Sequence, residues 1–211
     1  MNKPSKKLLT CLVVIIVVLL GSILKIVFKP STGIKAEVGS RVKGNPEAPV
    51  KIVEFADFQC PACANGAKLI KELFQKYPDS IRLEMKYFPL LNIHKNTFLA
   101  THYAECAARQ GSFWAYHDLL FERQKIWSEM IDPKDAFEQF ARELKLDPNQ
   151  LKACLGDKSV DVLITKFKGE GNLAGVKSTP TYFVNGQMIV GSKTIQDEII
   201  KRIPSPKQTK P

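Results

Sequence analysis

The pattern of hydrophobic and polar positions divides the chain into an apolar N-terminal segment and a mixed α/β region. No charged residue lies between Leu8 and Leu24, and lysines flank this run on both sides. Such a run is at the short end of what spans a bilayer, and positive charge before it places the N-terminus in the cytoplasm. We therefore predict that residues 1–30 form a cytoplasmic tip and a single transmembrane helix.

A cleaved signal peptide is the alternative interpretation of this segment. Cleavage needs a site of small residues, and the one small pair, Gly21-Ser22, is followed by the strongly apolar Ile23-Leu24. The sequence therefore favours an uncleaved anchor.

The next segment predicts a strand, a helix and a second strand. Residues 31–49 are polar and rich in glycine and proline, which is typical of a tether that leads into a domain edge. Val50–Phe58 is rich in β-branched and aromatic residues, and Ile81–Tyr87 alternates apolar with charged positions. Between them a helix begins at Pro61 and ends before Pro78. A right-handed helical crossover allows the two strands to pair in parallel.

The rest of the chain predicts a helical insertion followed by a hairpin. Helical periodicity extends through about residues 92–173, with breaks at Gly111, Asp132-Pro133, Asp147-Pro148 and Gly156. Two short strands, Thr181–Val184 and Gln187–Val190, then flank Asn185-Gly186, a strong hairpin signal. A last helix over Thr194–Ile203 and a frayed tail over 204–211 complete the chain. Residues 50–203 thus form one α/β domain with an inserted α-helical domain.

Composition and charge exclude some classes of function. With 211 residues, 45% hydrophobic and 25% charged, the chain suits one globular domain with a core. The net charge of +10 arises from lysines scattered among acids, and the sequence has no nucleic-acid recognition motif. We expect a solvated basic surface and no nucleic-acid partner.

The five cysteines are interpreted in the oxidising compartment that the predicted membrane topology implies. Cys11 lies in the apolar run and is interpreted as a small membrane-embedded hydrophobe. The other four, an even number, suggest two disulfides, with three possible pairings. Cys106 and Cys154 lie on different predicted helices, so we predict a structural disulfide between them, with two free buried cysteines as the alternative.

The remaining pair, in Cys60-Pro61-Ala62-Cys63, follows a strand and opens a helix. Unpaired N–H groups at a helix N-terminus favour negative charge, so Cys60 should be an acidic thiolate. Cys63, one turn further, should be the buried resolving thiol. The alternatives are half of a zinc site, for which a second ligand pair is missing from the sequence, and a purely structural disulfide.

Three segments resemble the DsbA-like thiol–disulfide oxidoreductases, which have a thioredoxin fold with an inserted helical domain. They are Val53–Cys63, Gln110–His117 and Val176–Gly186, and the resemblance covers most of residues 45–203. It implies that Pro180 is a cis-proline beside the active-site cysteines. It also implies that the backbone of Thr179 meets an extended substrate, with Pro61 and Ala62 completing the substrate-binding residues.

The resemblance also implies that Glu54 is a buried acid that exchanges protons with Cys63, where the alternative is a strand-edge glutamate facing water. One departure concerns Ala62, because strongly oxidising enterobacterial members carry a histidine between the cysteines. Alanine cannot donate a hydrogen bond to the thiolate, so we expect a less oxidising redox potential.

We therefore predict a monomeric, membrane-anchored enzyme whose catalytic domain lies outside the cytoplasm and donates disulfides to exported cysteine-containing proteins. A membrane-bound redox partner would reoxidise it, and no dissociable cofactor or metal is implied. A reductase or isomerase using the same cysteines is the first alternative. A non-enzymatic peptide-binding module is the second.

Overall fold

The computed structural model describes residues 41–204. The predicted transmembrane helix lies outside these residues, as does the predicted tail apart from Pro204. Within residues 41–204, no helix has both the length and the apolar character needed to cross a membrane.

A five-stranded sheet organises the described part of the chain. Its strands are β1 (Val42–Gly44), β2 (Val50–Ala56), β3 (Ile81–Tyr87), β4 (Thr181–Val184) and β5 (Gln187–Val190). Their order across the sheet is β1-β3-β2-β4-β5, and β2 pairs in parallel with β3, while the other neighbours are antiparallel. The parallel pair and the C-terminal hairpin confirm the predicted topology.

Strand β1 lies in the segment predicted as a tether and domain edge, although no strand was predicted there. It is three residues long and pairs with the free edge of β3, so that Lys43 lies opposite Leu83. A strand this short has no detectable alternation, and its hydrogen bonds come from a partner forty residues away in sequence. Pattern analysis could not find it for that reason.

Eight helices complete the described residues. They are α1 (Pro61–Lys76), α2 (Thr97–Ala108), α3 (Phe113–Glu122), α4 (Gln124–Trp127), α5 (Lys134–Glu143), α6 (Pro148–Leu155), α7 (Ser159–Leu173) and α8 (Ile195–Ile200). Helices α2–α7 form the inserted domain between β3 and β4. The break between α3 and α4 was not predicted, and α8 is shorter than the predicted helix over Thr194–Ile203.

The two Asp-Pro steps begin helices, as predicted. The carboxylate of Asp147 accepts hydrogen bonds from the backbone N–H groups of Asn149 and Gln150 at 2.8 and 2.9 Å. Asp132 likewise accepts from the N–H of Lys134 at 3.0 Å. Each aspartate satisfies N–H groups that a helix start would otherwise leave unpaired.

A buried ion pair fastens the inserted domain to the sheet. Arg41, next to β1, donates to the carboxylate of Glu105 on α2 at 2.6 Å, and both side chains are almost fully buried. The hydroxyl of Tyr87 on β3 donates to the same carboxylate oxygen at 2.9 Å. Because a buried charge requires such partners, the position of α2 relative to the sheet is closely specified.

Within the inserted domain a disulfide joins Cys106 on α2 to Cys154 on α6, 48 residues apart. Both cysteines are buried in the largest apolar core of the described residues. The bond therefore closes a loop that contains five of the six inserted helices in whole or part.

We expect the double substitution Cys106→Ala with Cys154→Ala to lower the free energy of unfolding by about 4 kcal/mol, because the unfolded chain regains the loop-closure entropy of this loop. Urea denaturation under non-reducing conditions measures the change. Peptide mapping without reduction should recover the two cysteines in one linked fragment. An unchanged free energy, together with free thiols at both positions, would contradict the assignment.

Candidate active site

The strand-to-helix junction places two cysteines at the start of helix α1. Strand β2 ends at Ala56, a turn follows, and Cys60 is the N-cap of α1 with Pro61 at the first helical position. Cys60 retains 8% of its exposure and Cys63 none. One sulfur is therefore at the surface of the core and the other beneath it.

The two thiols have opposite pKa shifts. A hydrogen bond from the thiol of Cys63 is the largest cause that lowers the pKa of Cys60, to about 5, although burial acts against the shift. Thr179 and the backbone N–H groups of Cys63 and Ala62 lower it further. Burial raises the pKa of Cys63 well above its ordinary value, and its hydrogen bond to Cys60 adds to this. The site thus holds one thiolate beside one protonated thiol.

The loop before β4 closes over Cys60. The Thr179–Pro180 peptide bond is cis, and the Cys60 thiol approaches the carbonyl oxygen of Thr179 at 3.3 Å. Both residues of the loop are buried, whereas Pro61 is exposed and Ala62 half-buried. The carbonyl of Thr179 and the backbone N–H of Ala62 therefore approach the sulfur of Cys60, and Pro180 and Pro61 are their neighbours in sequence.

Glu54 lies under this pair on the central strand. It is 1% exposed, so the alternative of a strand-edge glutamate facing water is wrong. Burial raises the pKa of its carboxyl to about 7, against the opposing effects of the Lys43 charge and the Tyr182 hydroxyl. Neither carboxylate oxygen has a hydrogen-bond partner among the described residues. Its charge in turn contributes to the raised pKa of Cys63.

A glycine allows Tyr182 to pack between Glu54 and helix α1. Tyr182 lies opposite Glu54 in the β2–β4 register. Its hydroxyl reaches Gly66, one turn beyond Cys63, where a Cβ atom would collide with it. Any other residue at this position would displace either the tyrosine or the helix that carries both cysteines.

Three residues of the site were not found by sequence analysis. Lys43 lies on β1, in the segment interpreted as a tether, and its ammonium group is 4.1 Å from the centre of the Trp114 ring. Tyr182 was seen only as a strand residue. Gln124, on inserted helix α4, donates to the carbonyl groups of Phe58 and Cys60 at 2.7 and 3.0 Å. No local spacing links these residues to the cysteines, because all three contacts are long-range.

The turn before Cys60 is held by a buried aspartate. The backbone N–H of Asp57 approaches the sulfur of Cys63 at 3.5 Å. Its carboxylate is within 2.5–2.8 Å of four groups, the backbone N–H groups of Gln59 and Leu90, the Thr97 hydroxyl and the His94 imidazole. This carboxylate therefore fixes the turn and does not point toward the reacting sulfurs.

Some of the predicted residues lie elsewhere. Cys106 and Cys154 belong to the inserted domain and do not contribute to the site. Within residues 41–204, no group of three or more His, Cys, Asp or Glu side chains is arranged to hold a metal ion. Cys60 and Cys63 are both present as free thiols. An acidic thiolate beside a protonated second thiol has the properties that favour thiol–disulfide exchange, and the buried acid lies under this pair.

We expect the reduced protein to show thiolate absorbance that titrates near pH 5. Substituting Cys63→Ala removes the hydrogen bond that most stabilises the Cys60 thiolate, and should raise that pKa by about 1 to 2 pH units. The matched variant Cys63→Ser keeps a hydroxyl donor and should retain most of the shift. The same pKa of Cys60 in both variants would show that the hydrogen bond from residue 63 is not the main cause of the lowered pKa.

We also expect the ionisation of Glu54 to lower the free energy of unfolding as pH rises. Folding raises its pKa from 4.5 to about 7, so the unfolded chain releases this proton first and stability falls between these values. In the oxidised protein, Glu54→Gln should gain about 3 kcal/mol relative to the wild type between about pH 4 and pH 8. Urea denaturation across this range measures the difference, with the exposed Glu72→Gln as control. Parallel curves for Glu54→Gln and the wild type would refute the raised pKa.

Comparisons with known proteins agree with this geometry. The thioredoxin family profile matches residues 36–202. BdbD from Bacillus subtilis, in its oxidised crystal structure, is 26% identical, and the superposition covers 78% of this chain and 93% of that one with a TM-score of 0.66. The alpha-DsbA1 of Wolbachia pipientis is 20% identical with a TM-score of 0.67, over 77% of this chain and 90% of that one. This second likeness shows the fold alone.

Among curated proteins, a Na(+)/H(+) antiporter NhaA 3 from Salinispora tropica is 36% identical over 155 residues. The match covers 74% of this chain but 23% of that protein. The chain therefore spans about a quarter of the length of this relative. The profile match, the fold and the paired cysteines together assign the chain to the thioredoxin family, among the DsbA-like thiol–disulfide oxidoreductases.

Proposed function

We propose that the protein is an oxidase that donates the Cys60–Cys63 disulfide to exported cysteine-containing proteins. The observation that carries the proposal is the position of Cys60 at the N-cap of α1 beside the buried Cys63, which lowers the pKa of Cys60 to about 5. Stabilising the thiolate stabilises the reduced enzyme, and this makes the disulfide form a better oxidant.

The reaction consumes two substrate thiols for each enzyme disulfide. A substrate thiolate attacks the sulfur of Cys60 and forms a mixed disulfide, while Cys63 leaves as a thiolate. Glu54, protonated in part near neutral pH, supplies the proton that Cys63 takes up. A second substrate thiolate then attacks the substrate sulfur and releases Cys60 as a stable thiolate. The substrate leaves oxidised, and the enzyme is left reduced, with Cys60 as a thiolate and Cys63 as a thiol.

The surroundings of Cys60 suit an extended substrate. The backbone next to the Thr179–Pro180 bond lies beside the reacting sulfur, where it can pair with a passing strand. Pro61 and Ala62 expose little polar surface on the other side of the sulfur. We infer that these four residues bind the substrate segment around its cysteine.

We further propose that residues 1–30 anchor the enzyme in a membrane, with the domain on the extracytoplasmic side. The buried Cys106–Cys154 disulfide supports an oxidising compartment. A fold relative from Salmonella enterica, with a TM-score of 0.63 and 22% identity, is described as a periplasmic thioredoxin-like protein. A membrane-bound redox partner would take the two electrons from the reduced enzyme, which acts as a monomer.

A disulfide reductase is the second candidate, and Ala62 is the observation that favours it. Alanine adds no hydrogen bond or positive charge to the Cys60 thiolate, so the thiolate is stabilised by fewer groups than a histidine at this position would provide. The same two cysteines would then carry electrons in the opposite direction.

The direction is tested by mixing the oxidised domain, residues 36–211, with a reduced protein that contains several cysteines. We expect stoichiometric formation of substrate disulfides and a redox potential between about −270 and −120 mV, the values of thioredoxin and DsbA. Cys60→Ser should abolish the transfer. A non-enzymatic binding module would still bind its peptides after that substitution. A potential at or below that of thioredoxin, with no oxidation of the substrate, would identify a reductase.

A further inference from the structure

A groove lies beside Cys60, on the side of the inserted domain. One wall is the loop of residues 91–95 after β3, and the other is formed by residues 124–129 of helix α4 and its extension. Gln59 and Pro61, the neighbours of Cys60, line it as well. Its volume of about 460 Å³ is large enough for one or two side chains of a polypeptide.

Buried hydrogen bonds fix this groove relative to the reacting sulfur. The Gln59 side chain donates to the carbonyl of Ser128 at 2.8 Å and accepts from the N–H of Asn96 at 2.7 Å. Gln124 donates to the carbonyl of Cys60 at 3.0 Å. Gln59 and Gln124 are both more than nine-tenths buried, so the two walls and Cys60 form one rigid unit.

The charged groups lining the groove are mainly cationic. Lys95 and Lys125 are exposed, and neither forms an ion pair with another residue in the range 41–204. The imidazole of His94 also lines the groove, with its Nδ1 atom turned toward the buried Asp57 at 2.8 Å. Glu129 is the one acidic lining residue among those described. An acidic side chain would therefore be attracted to this groove, and a basic one repelled.

Apolar surface accompanies these charges. Leu91 and Ile93 belong to the same loop and are 49% and 72% exposed. Large side chains this exposed, next to a reactive sulfur, suit contact with another polypeptide. A segment that pairs an acidic residue with an apolar one would meet both kinds of surface.

We propose that this groove selects substrates in which an acidic and an apolar residue adjoin the reacting cysteine. The inference rests on the proposed function, because it names the substrate class of the same site. Two exposed ion pairs would favour an acidic over a basic peptide by a factor of about 3 to 10 at low salt. Screening should reduce this preference at about 1 M salt.

The test compares two dithiol peptides that differ at one residue only. The pair of residues beside the first cysteine is Glu-Leu in one peptide and Lys-Leu in the other. The kcat/KM of their oxidation by the oxidised domain is divided by their rate with the uncharged 2-hydroxyethyl disulfide, which corrects for the intrinsic reactivity of each thiol. We expect the acidic peptide to be preferred.

The reversal variant Lys95→Glu with Lys125→Glu should invert the preference. The control variant Lys152→Glu with Lys158→Glu changes the net charge by the same amount, but at residues that do not line the groove. We expect the control variant to retain the preference for the acidic peptide. Equal rates for both peptides, or equal effects of the two variants, would overturn the proposal. Failure to oxidise either peptide would instead count against the proposed function.

Discussion

The hydrogen bond between the two active-site thiols depends on one junction, where a buried strand turns into a helix. It requires Cys60 at the helix N-cap and Cys63 one turn inside, so that the inner thiol points back at the outer sulfur. Burial keeps the proton on Cys63, and the retained proton stabilises the Cys60 thiolate. The rest of the fold maintains this junction. Asp57 fixes the turn from below, Gln124 from the inserted domain, and Gly66 lets Tyr182 pack against the helix.

Burial of Glu54 lowers the stability of the core when this acid ionises, and its proposed role in proton transfer depends on the same raised pKa. An acid with no hydrogen-bond partner among the described residues is costly to ionise, and a glutamine or leucine would fill the same space without that penalty. Its raised pKa lies near neutral pH, where a group can both give and take a proton. The nearby charge of Lys43 prevents the pKa from rising further. The cost in stability and the capacity for proton transfer therefore have one physical origin.

The parts of this site that the sequence predicted are those whose contacting residues lie close together in sequence. The cysteine pair, the helix start at Pro61 and the hairpin at Asn185-Gly186 are local patterns, and the structure contains them at the predicted positions. The helix N-terminus was predicted to acidify Cys60, yet the Cys63 thiol is the larger cause. Strand β1 with Lys43, and Gln124 on α4, could not be predicted, since each depends on a partner far away in sequence.

The inserted domain is therefore part of the active site and not an appendage to the sheet. Arg41 and Tyr87 bind Glu105, so a shift of helix α2 would expose a buried charge to solvent or leave it without a partner. Helix α4 then reaches the carbonyl of Cys60 through Gln124, and the chain just beyond it holds Gln59 through the carbonyl of Ser128. These bonds bring an exposed, lysine-lined surface to the edge of the reactive sulfur. The proposed substrate groove therefore depends on the insertion, whereas strand β2 and helix α1 position the cysteine pair.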